Sequence, residues 1–236
     1  MAEILMTGAS GRIGRMLRDR LTLPWRVTPV DVTDADATRA AARDVEAIVH
    51  LGAIAGRGSF DEVLSVNVRG TENVLRAAVG NGVPRVVLAS SNHAVGYWSR
   101  EEAGPGGLPD DVPPRPDTYY GWSKAATESL ARMYHDRYGL HVVCLRIGAC
   151  FPAPREPRHR ALWLSPDDAA RLVAASLRAD GWHVVWGVSA NADRWFSTAG
   201  GTAIGYEPRD DAADWPIDAP DWSRDEHRLV GGALTG

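Results

Sequence analysis

Apolar residues fall along this chain in short runs, separated by longer stretches in which they recur every three or four positions. The runs are Glu3–Thr7, Arg26–Asp31, Ala47–Leu51, Arg85–Ser90, His141–Ile147 and His183–Gly187. Short apolar runs bounded by turn residues predict buried strands. After the first run, Ile13, Met16, Leu17 and Leu21 share one helical face. Further helices are expected over about 35–43, from Phe60 to about Val79, over 119–138 and from Ser165 to about Ala179. Asp61 and Glu62 supply acids for a first turn, and Gly80 and Gly82 follow that helix's end. Ser165-Pro166-Asp167-Asp168 reads as an N-cap, a proline at the first helical position and acids beside the positive end of the dipole. Strands alternating with helices predict an α/β fold, a doubly wound parallel sheet.

Three stretches break the alternation. Gly104–Pro116 is a loop rich in glycine and proline, 148–164 is irregular and carries arginines, and 189–236 has tryptophans and prolines but little periodicity. One domain over 1–236 is expected, with segments of about 93–118, 149–165 and 188–236 capping a site. Repeats, charge blocks and low-complexity segments are absent. Hydrophobic residues at 44% and charged residues at 24% are ordinary for a globular protein with a sizeable core. A net charge of −4 offers no footprint for nucleic acid or an anionic membrane. No apolar run approaches a membrane span, and the first strand begins too early for a signal peptide. Cys144 and Cys150 make neither a disulfide framework nor a metal-ligand pattern and are expected to be buried, reduced thiols. A cytoplasmic location follows as an expectation.

Candidate chemistry gathers at the ends of the strands. Gly8-Ala-Ser10-Gly11-Arg12-Ile13-Gly14 lies between a strand and a helix. Glycines there let backbone approach a diphosphate, which sits on the helix N-terminus where amide hydrogens point outward. The spacing is G-x-x-G-x-x-G, a weak signal alone and a strong one in this context. Leu51, Gly52 and Ala53 are small or apolar residues suited to passing beneath a dinucleotide, and Asn67 can reach back to that loop. Asp31 closes the second run, 17 residues after Gly14, close to where a carboxylate meets the ribose hydroxyls of NAD and repels the extra phosphate of NADP. Its alternative is to cap the helix that follows. Ser90, Ser91, Asn92 and His93 stand at the carboxyl end of a strand, where ligands bind in such sheets.

Tyr120 and Lys124 are four apart on a helix and so share a face. Lys124 is the sole lysine among 26 basic residues. A phenol is a poor base at neutral pH, and an adjacent cation is expected to lower its pKa into a usable range.

The glycine triplet, the Ser90-Ser91 strand end and Tyr120-x-x-x-Lys124 together resemble the short-chain dehydrogenase/reductase superfamily. Val49-His-Leu-Gly-Ala53 and Arg146-Ile-Gly148 are similar to its extended, epimerase-like branch. Segments 89–97, 130–134, 146–150 and 184–191 resemble the uronate dehydrogenases within it. The resemblance implies a Rossmann-like fold and oxidation of a uronic acid, or a related carboxylated sugar, at the anomeric carbon to a lactone, with NAD as cofactor. Under it Tyr120 is the general base and Lys124 its tuner and a ribose ligand. Ser91 bonds the reacting oxygen, Asn92 and His93 position the sugar, and Ile147 lies beside the cofactor. Arg158, by spacing alone a solvated charge beside Arg155 and Arg160, falls where that family clamps the substrate carboxylate. Arginine suits this, since its planar fork meets a carboxylate bidentately.

Three departures stand out. Ala55 and Ala149 replace serines of the family near the substrate, and an edge strand after Asp31 is missing. The short C-terminal part favours a small substrate. The alternatives are a biosynthetic ketoreductase or nucleotide-sugar reductase on the same scaffold, and a non-catalytic NAD sensor, which would have no need of the base. Pairing of helices 60–79 and 119–138 across a homo-oligomer is a further expectation of the fold.

Overall fold

A computed structural model describes residues 3–56 and 58–232. Its strands are β1 (Glu3–Thr7), β2 (Trp25–Arg26), β3 (Val45–His50), β4 (Arg85–Ser91), β5 (His141–Ile147), β6 (Ala149–Cys150), β7 (Trp163–Leu164) and β8 (Trp182–Gly187). Six of them form one sheet in the order β2-β1-β3-β4-β5-β8, and every pairing is parallel. β6 and β7 make a separate small parallel pair. The helices are α1 (Arg12–Arg20), α2 (Ala35–Ala41), α3 (Phe60–Val63), α4 (Gly70–Gly80), α5 (Tyr119–Tyr138), α6 (His159–Leu162), α7 (Pro166–Ser176), α8 (Ala199–Ala203) and α9 (Asp225–Arg228).

Successive strand residues feed opposite faces of the sheet. Ile4, Met6, Val49, Val87, Val143 and Leu145 join Met16 and Leu17 of α1 and Leu172 and Val173 of α7 in one core. Leu5, Ile48, Val86, Leu88, Val142 and Cys144 join Val74 and Leu75 of α4 and Ala131 and Tyr134 of α5 in the other. Strands covered on both sides need apolar residues at every position, which is why they read as continuous runs. Both cysteines are free and buried, and burial pushes their thiols to higher pKa.

The second strand departs from expectation. The run Arg26–Asp31 predicted a full strand, but pairing with β1 stops at Arg26. Pro29 has no amide hydrogen to donate to a ladder, and Val27 is exposed. β2 is the edge of the sheet among the described residues. The helix expected from Phe60 to Val79 is also interrupted, since residues Leu64–Arg69 widen into a π-helical turn between α3 and α4. Such turns cluster at functional sites, and this one contains Asn67.

The third core lies beyond the carboxyl ends of the strands. Val95, Leu108 and Val112 meet Ala161 and Leu162, Trp186, Trp195, Phe196 and Val230 there. Apart from Val95, which follows β4, and Trp186 of β8, these residues come from the three segments that interrupt the strand–helix alternation. The stretch 148–164, irregular by sequence, holds β6, α6 and β7. A buried ion pair ties this layer to the sheet. Arg146 donates to both carboxylate oxygens of Glu128 and, through Nη1, to the carbonyls of Asp110 and Val112. Among the described residues, no helix is long and apolar enough to cross a membrane.

Candidate active site

The strand order turns at β1, which has β2 on one side and β3 on the other. A crevice opens at such a point. It leads into a cavity of about 730 Å³ lined by the glycine turn, the loop after β3, the end of β4, the start of α5 and the 147–162 segment.

The glycine turn is shaped by close backbone packing. Gly8 has φ +70°, and a Cβ on it would lie 2.6 Å from the amide nitrogen of Gly52. A Cβ on Gly14 would lie 2.7 Å from Ala9 backbone atoms. No larger residue fits either place, so α1 starts hard against the sheet with its N-terminus at the cavity. That terminus has no side-chain cap and no acid in its first turn. By contrast α2, α3 and α7 are capped by Asp34, Ser59 and Ser165. An uncapped helix N-terminus is a ready anion site. With Arg12 beside it, this donor set fits the diphosphate of a dinucleotide.

Of the residues singled out from sequence, Gly8, Gly11, Arg12, Ile13, Gly14, Leu51, Ala53, Ser90, Ser91, Asn92, His93, Tyr120, Lys124, Ile147 and Arg158 line the cavity. Ser10, Asp31, Gly52 and Asn67 do not. Asp31 is exposed, and its Oδ1 accepts from the amide and hydroxyl of Thr33, which hold its pKa below the usual range. It does not cap α2, because Asp34 does. Asn67 is buried with its amide fully engaged. It accepts from the Ile54 amide at 2.8 Å and donates to the Ile54 carbonyl at 3.0 Å and to the Ser123 hydroxyl at 2.9 Å. The π turn thus pins the loop after β3 to α5. Thr7, His50 and Thr71 continue this buried polar chain, with His50 hydrogen-bonded at 2.6 and 3.0 Å. Burial, and then the nearby Lys124 charge, push His50 down to about 3, so it is neutral.

Tyr120 and Lys124 enter from the first turns of α5, capped by Thr118. Ser91 lies beside the phenol and acts to lower its pKa. Ser91 also donates to the side-chain oxygen of Asn92 and accepts from the His93 amide. The Asn92 amide donates to the Val230 carbonyl at 2.8 Å, so the segment around Val230 closes over this corner. Close approach here demands small residues, since a Cβ on Gly121 would lie 2.2 Å from the His93 carbonyl. Lys124 donates to the Ala89 carbonyl at 2.7 Å, and its nitrogen lies 5.7 Å from the Tyr120 ring centre.

The expected tuning of Tyr120 takes another form. Burial first, and then the Asp117 charge, raise its pKa above the ordinary phenol value, opposed by Ser91. Desolvation disfavours a buried phenolate, and the Lys124 ammonium is turned to a backbone carbonyl. Lys124 itself is pushed down to about 8 by burial, opposed by Glu128.

Several residues at the site carried no signal in the sequence. Asp117, whose side chain is wholly buried, takes the His93 Nδ1 at 2.7 Å and leaves Nε2 to face a ligand. Such a carboxylate fixes which ring nitrogen carries a proton. Phe151, Arg155, Glu156 and His159 line the cavity beside Arg158. Their positions depend on how 149–162 folds back over the sheet, and no spacing encodes that. Arg158 is largely shielded rather than solvated, with 14% of its side chain exposed. Its Nη2 donates to the Val230 carbonyl at 2.8 Å, Glu156 lies 3.9 Å from Nη1, and its Nε is buried without a partner.

Residues 4–165 match the model of the NAD dependent epimerase/dehydratase family. The chain is 39% identical over 232 residues to uronate dehydrogenase of Agrobacterium fabrum, covering 90% of this chain and 86% of that one. It is also 39% identical over 251 residues to L-arabinose 1-dehydrogenase (NAD(P)(+)) of Haloferax volcanii, covering 90% and 98%. A solved structure of a mutant uronate dehydrogenase from Agrobacterium tumefaciens, complexed with NAD, superposes with a TM-score of 0.89. That match has 35% identity and covers 99% of this chain and 96% of the other.

Proposed function

The chain belongs to the NAD dependent epimerase/dehydratase family as an NAD-dependent dehydrogenase, and we propose that it oxidises a uronic acid at the anomeric carbon to a lactone. The observation that carries the substrate class is Arg158. Its guanidinium lines the same cavity as Tyr120 and Ser91, and its buried Nε has no acceptor. Leaving such a donor unsatisfied is costly. A sugar carboxylate is the acceptor that its fork geometry suits.

In this reading NAD is held by the glycine turn and Arg12, with Leu51, Ala53, Ile147 and Lys124 along its length. When bound, it supplies the acceptor for the hydride that leaves the anomeric carbon. Ser91 donates to the oxygen on that carbon, and Tyr120 takes the hydroxyl proton. His93, oriented by Asp117, and Asn92, anchored on Val230, fix the ring. The raised phenol pKa has a direct consequence: oxidation needs the phenolate, whose fraction grows with pH, so turnover should climb through the alkaline range. A protonated phenol suits the reverse reduction.

The test is NAD reduction with galacturonate and glucuronate against neutral aldoses. Arg158→Met should lose roughly 1.5–3 kcal/mol of transition-state stabilisation with acids and leave neutral sugars unchanged. Arg158→Lys should restore only part of it. One feature favours a second reading, a neutral aldose such as the L-arabinose relative takes. Ala55 and Ala149 both line the cavity, so the wall lacks the two hydroxyls expected of a uronate site. If neutral sugars outperform every acid and Arg158→Met is silent, that reading replaces the first. Preference for a hydrophobic ketone would indicate a ketoreductase.

A further inference from the structure

The cavity wall opposite the glycine turn carries a cation with no task in the chemistry above. The Arg12 guanidinium carbon lies 4.2 Å from the centre of the Phe151 ring, and that of Arg155 lies 4.4 Å from the same centre. The two cations therefore cannot be further apart than those two lengths together. Among the described residues, neither forms an ion pair with a carboxylate. Like charges gathered on one ring at a cavity mouth repel each other until an anion joins them. Arg12 belongs to the first turn of α1, whose N-terminus is uncapped. Arg155 reaches the ring from the far wall, the segment that also carries Arg158.

We infer that Phe151 and Arg155 bind the diphosphate of NAD together with Arg12 and the α1 N-terminus, so that the substrate loop forms part of the cofactor site. The turn is braced for this. The Arg155 amide donates to His159 Nδ1 at 3.0 Å, and the His159 ring stacks on Phe151 with centres 5.5 Å apart. Phe151 presents a face on which a guanidinium lies with its N–H edges free. A fork donor then meets phosphate oxygens, the geometry in which arginine excels. Arg158 follows three residues after Arg155. A diphosphate that draws Arg155 inward also steadies the turn that holds the clamp, so cofactor binding prepares the acid end of the site.

This inference rests on the NAD cofactor and not on the sugar-acid substrate, so it is tested without a sugar. Affinities of the full chain for NAD, ADP-ribose and adenosine are measured by calorimetry for the unmodified protein, Arg155→Gln and Phe151→Leu. Arg155→Gln should weaken NAD and ADP-ribose by roughly tenfold and leave adenosine unchanged, with the difference shrinking as salt is added. Phe151→Leu keeps the apolar bulk and should lose affinity in the same pattern. Arg155 is an exposed side chain, so Arg155→Gln decides the matter even if Phe151→Leu fails to fold. Unchanged affinity for NAD and ADP-ribose in Arg155→Gln overturns the inference. So does an equal loss for adenosine, which would mark a structural disturbance.

Discussion

Lys124 makes a prediction in which stability and activity move in opposite directions. Burial lowers its pKa from an ordinary 10.5 to about 8. That difference corresponds to about 3 kcal/mol by which the folded state disfavours the ammonium relative to the unfolded chain. Below pH 8 both states are protonated and the whole penalty is present. Between pH 8 and 10.5 the unfolded chain binds more protons than the folded one, so stability rises with pH. Lys124→Met keeps the length of the side chain and removes the charge. It also removes the bond to the Ala89 carbonyl, worth about 1 kcal/mol. The net expectation at pH 7 is a variant about 2 kcal/mol more stable, melting roughly 4–8 °C higher, with turnover reduced at least about a hundredfold. Thermal and urea unfolding of both proteins from pH 7 to just below 10 measures this. The gap should close as pH rises past 8, while Tyr120, titrating above its ordinary value, stays silent in that window. A gap that stays constant from pH 7 to 10, or a variant less stable than its parent at pH 7, would refute the reasoning.

Other expectations follow from single contacts. Tyr120→Phe should keep fold and NAD affinity while turnover falls at least about a hundredfold. Its neighbour Tyr119, 59% exposed, should tolerate the same change; matching kinetic losses in the two variants would remove Tyr120 from the mechanism. Asp31 should favour NAD over NADP by well over tenfold, and Asp31→Ala should narrow the gap. Comparable kinetics with both cofactors in the unmodified enzyme would assign the carboxylate to its Thr33 turn alone. Gly121→Ala sets a methyl against the His93 carbonyl. It should therefore destabilise by about 1–3 kcal/mol, as overpacking does, and a neutral melting shift would show that α5 has room to move.

The parts of the site missing from the sequence have a common character. Asp117, Glu128 and the Val230 carbonyl act through His93, Arg146, Arg158 and Asn92, partners that lie 18 to 138 residues away. An aspartate before a helix cap reads as turn chemistry, and only the folded chain shows it buried under a histidine. Arg158 teaches the same lesson from the other side. Its neighbours Arg155 and Arg160 make the stretch look like a solvated loop, and the bond from Arg158 to the Val230 carbonyl, 72 residues away, sets it apart from them.

What the sequence determined by itself was local and periodic. Strands covered on both faces, helices of period 3.6, the glycine turn after β1 and the Tyr120–Lys124 stripe on α5 are all set by neighbours within a few residues. The physics that fixes them is short-ranged: backbone sterics, hydrogen bonds four residues apart and alternation of side chains. Tertiary structure decided the rest. It cut β2 to two residues at the sheet edge and widened the turn at Asn67 so that one amide holds both the loop after β3 and α5. It turned the Lys124 ammonium to a carbonyl and raised the phenol it was expected to lower. The shifts of Tyr120 and Lys124 depend on desolvation, which is set by everything packed around a group. A chain read in one dimension gives the spacing between two residues but not the medium that lies between them.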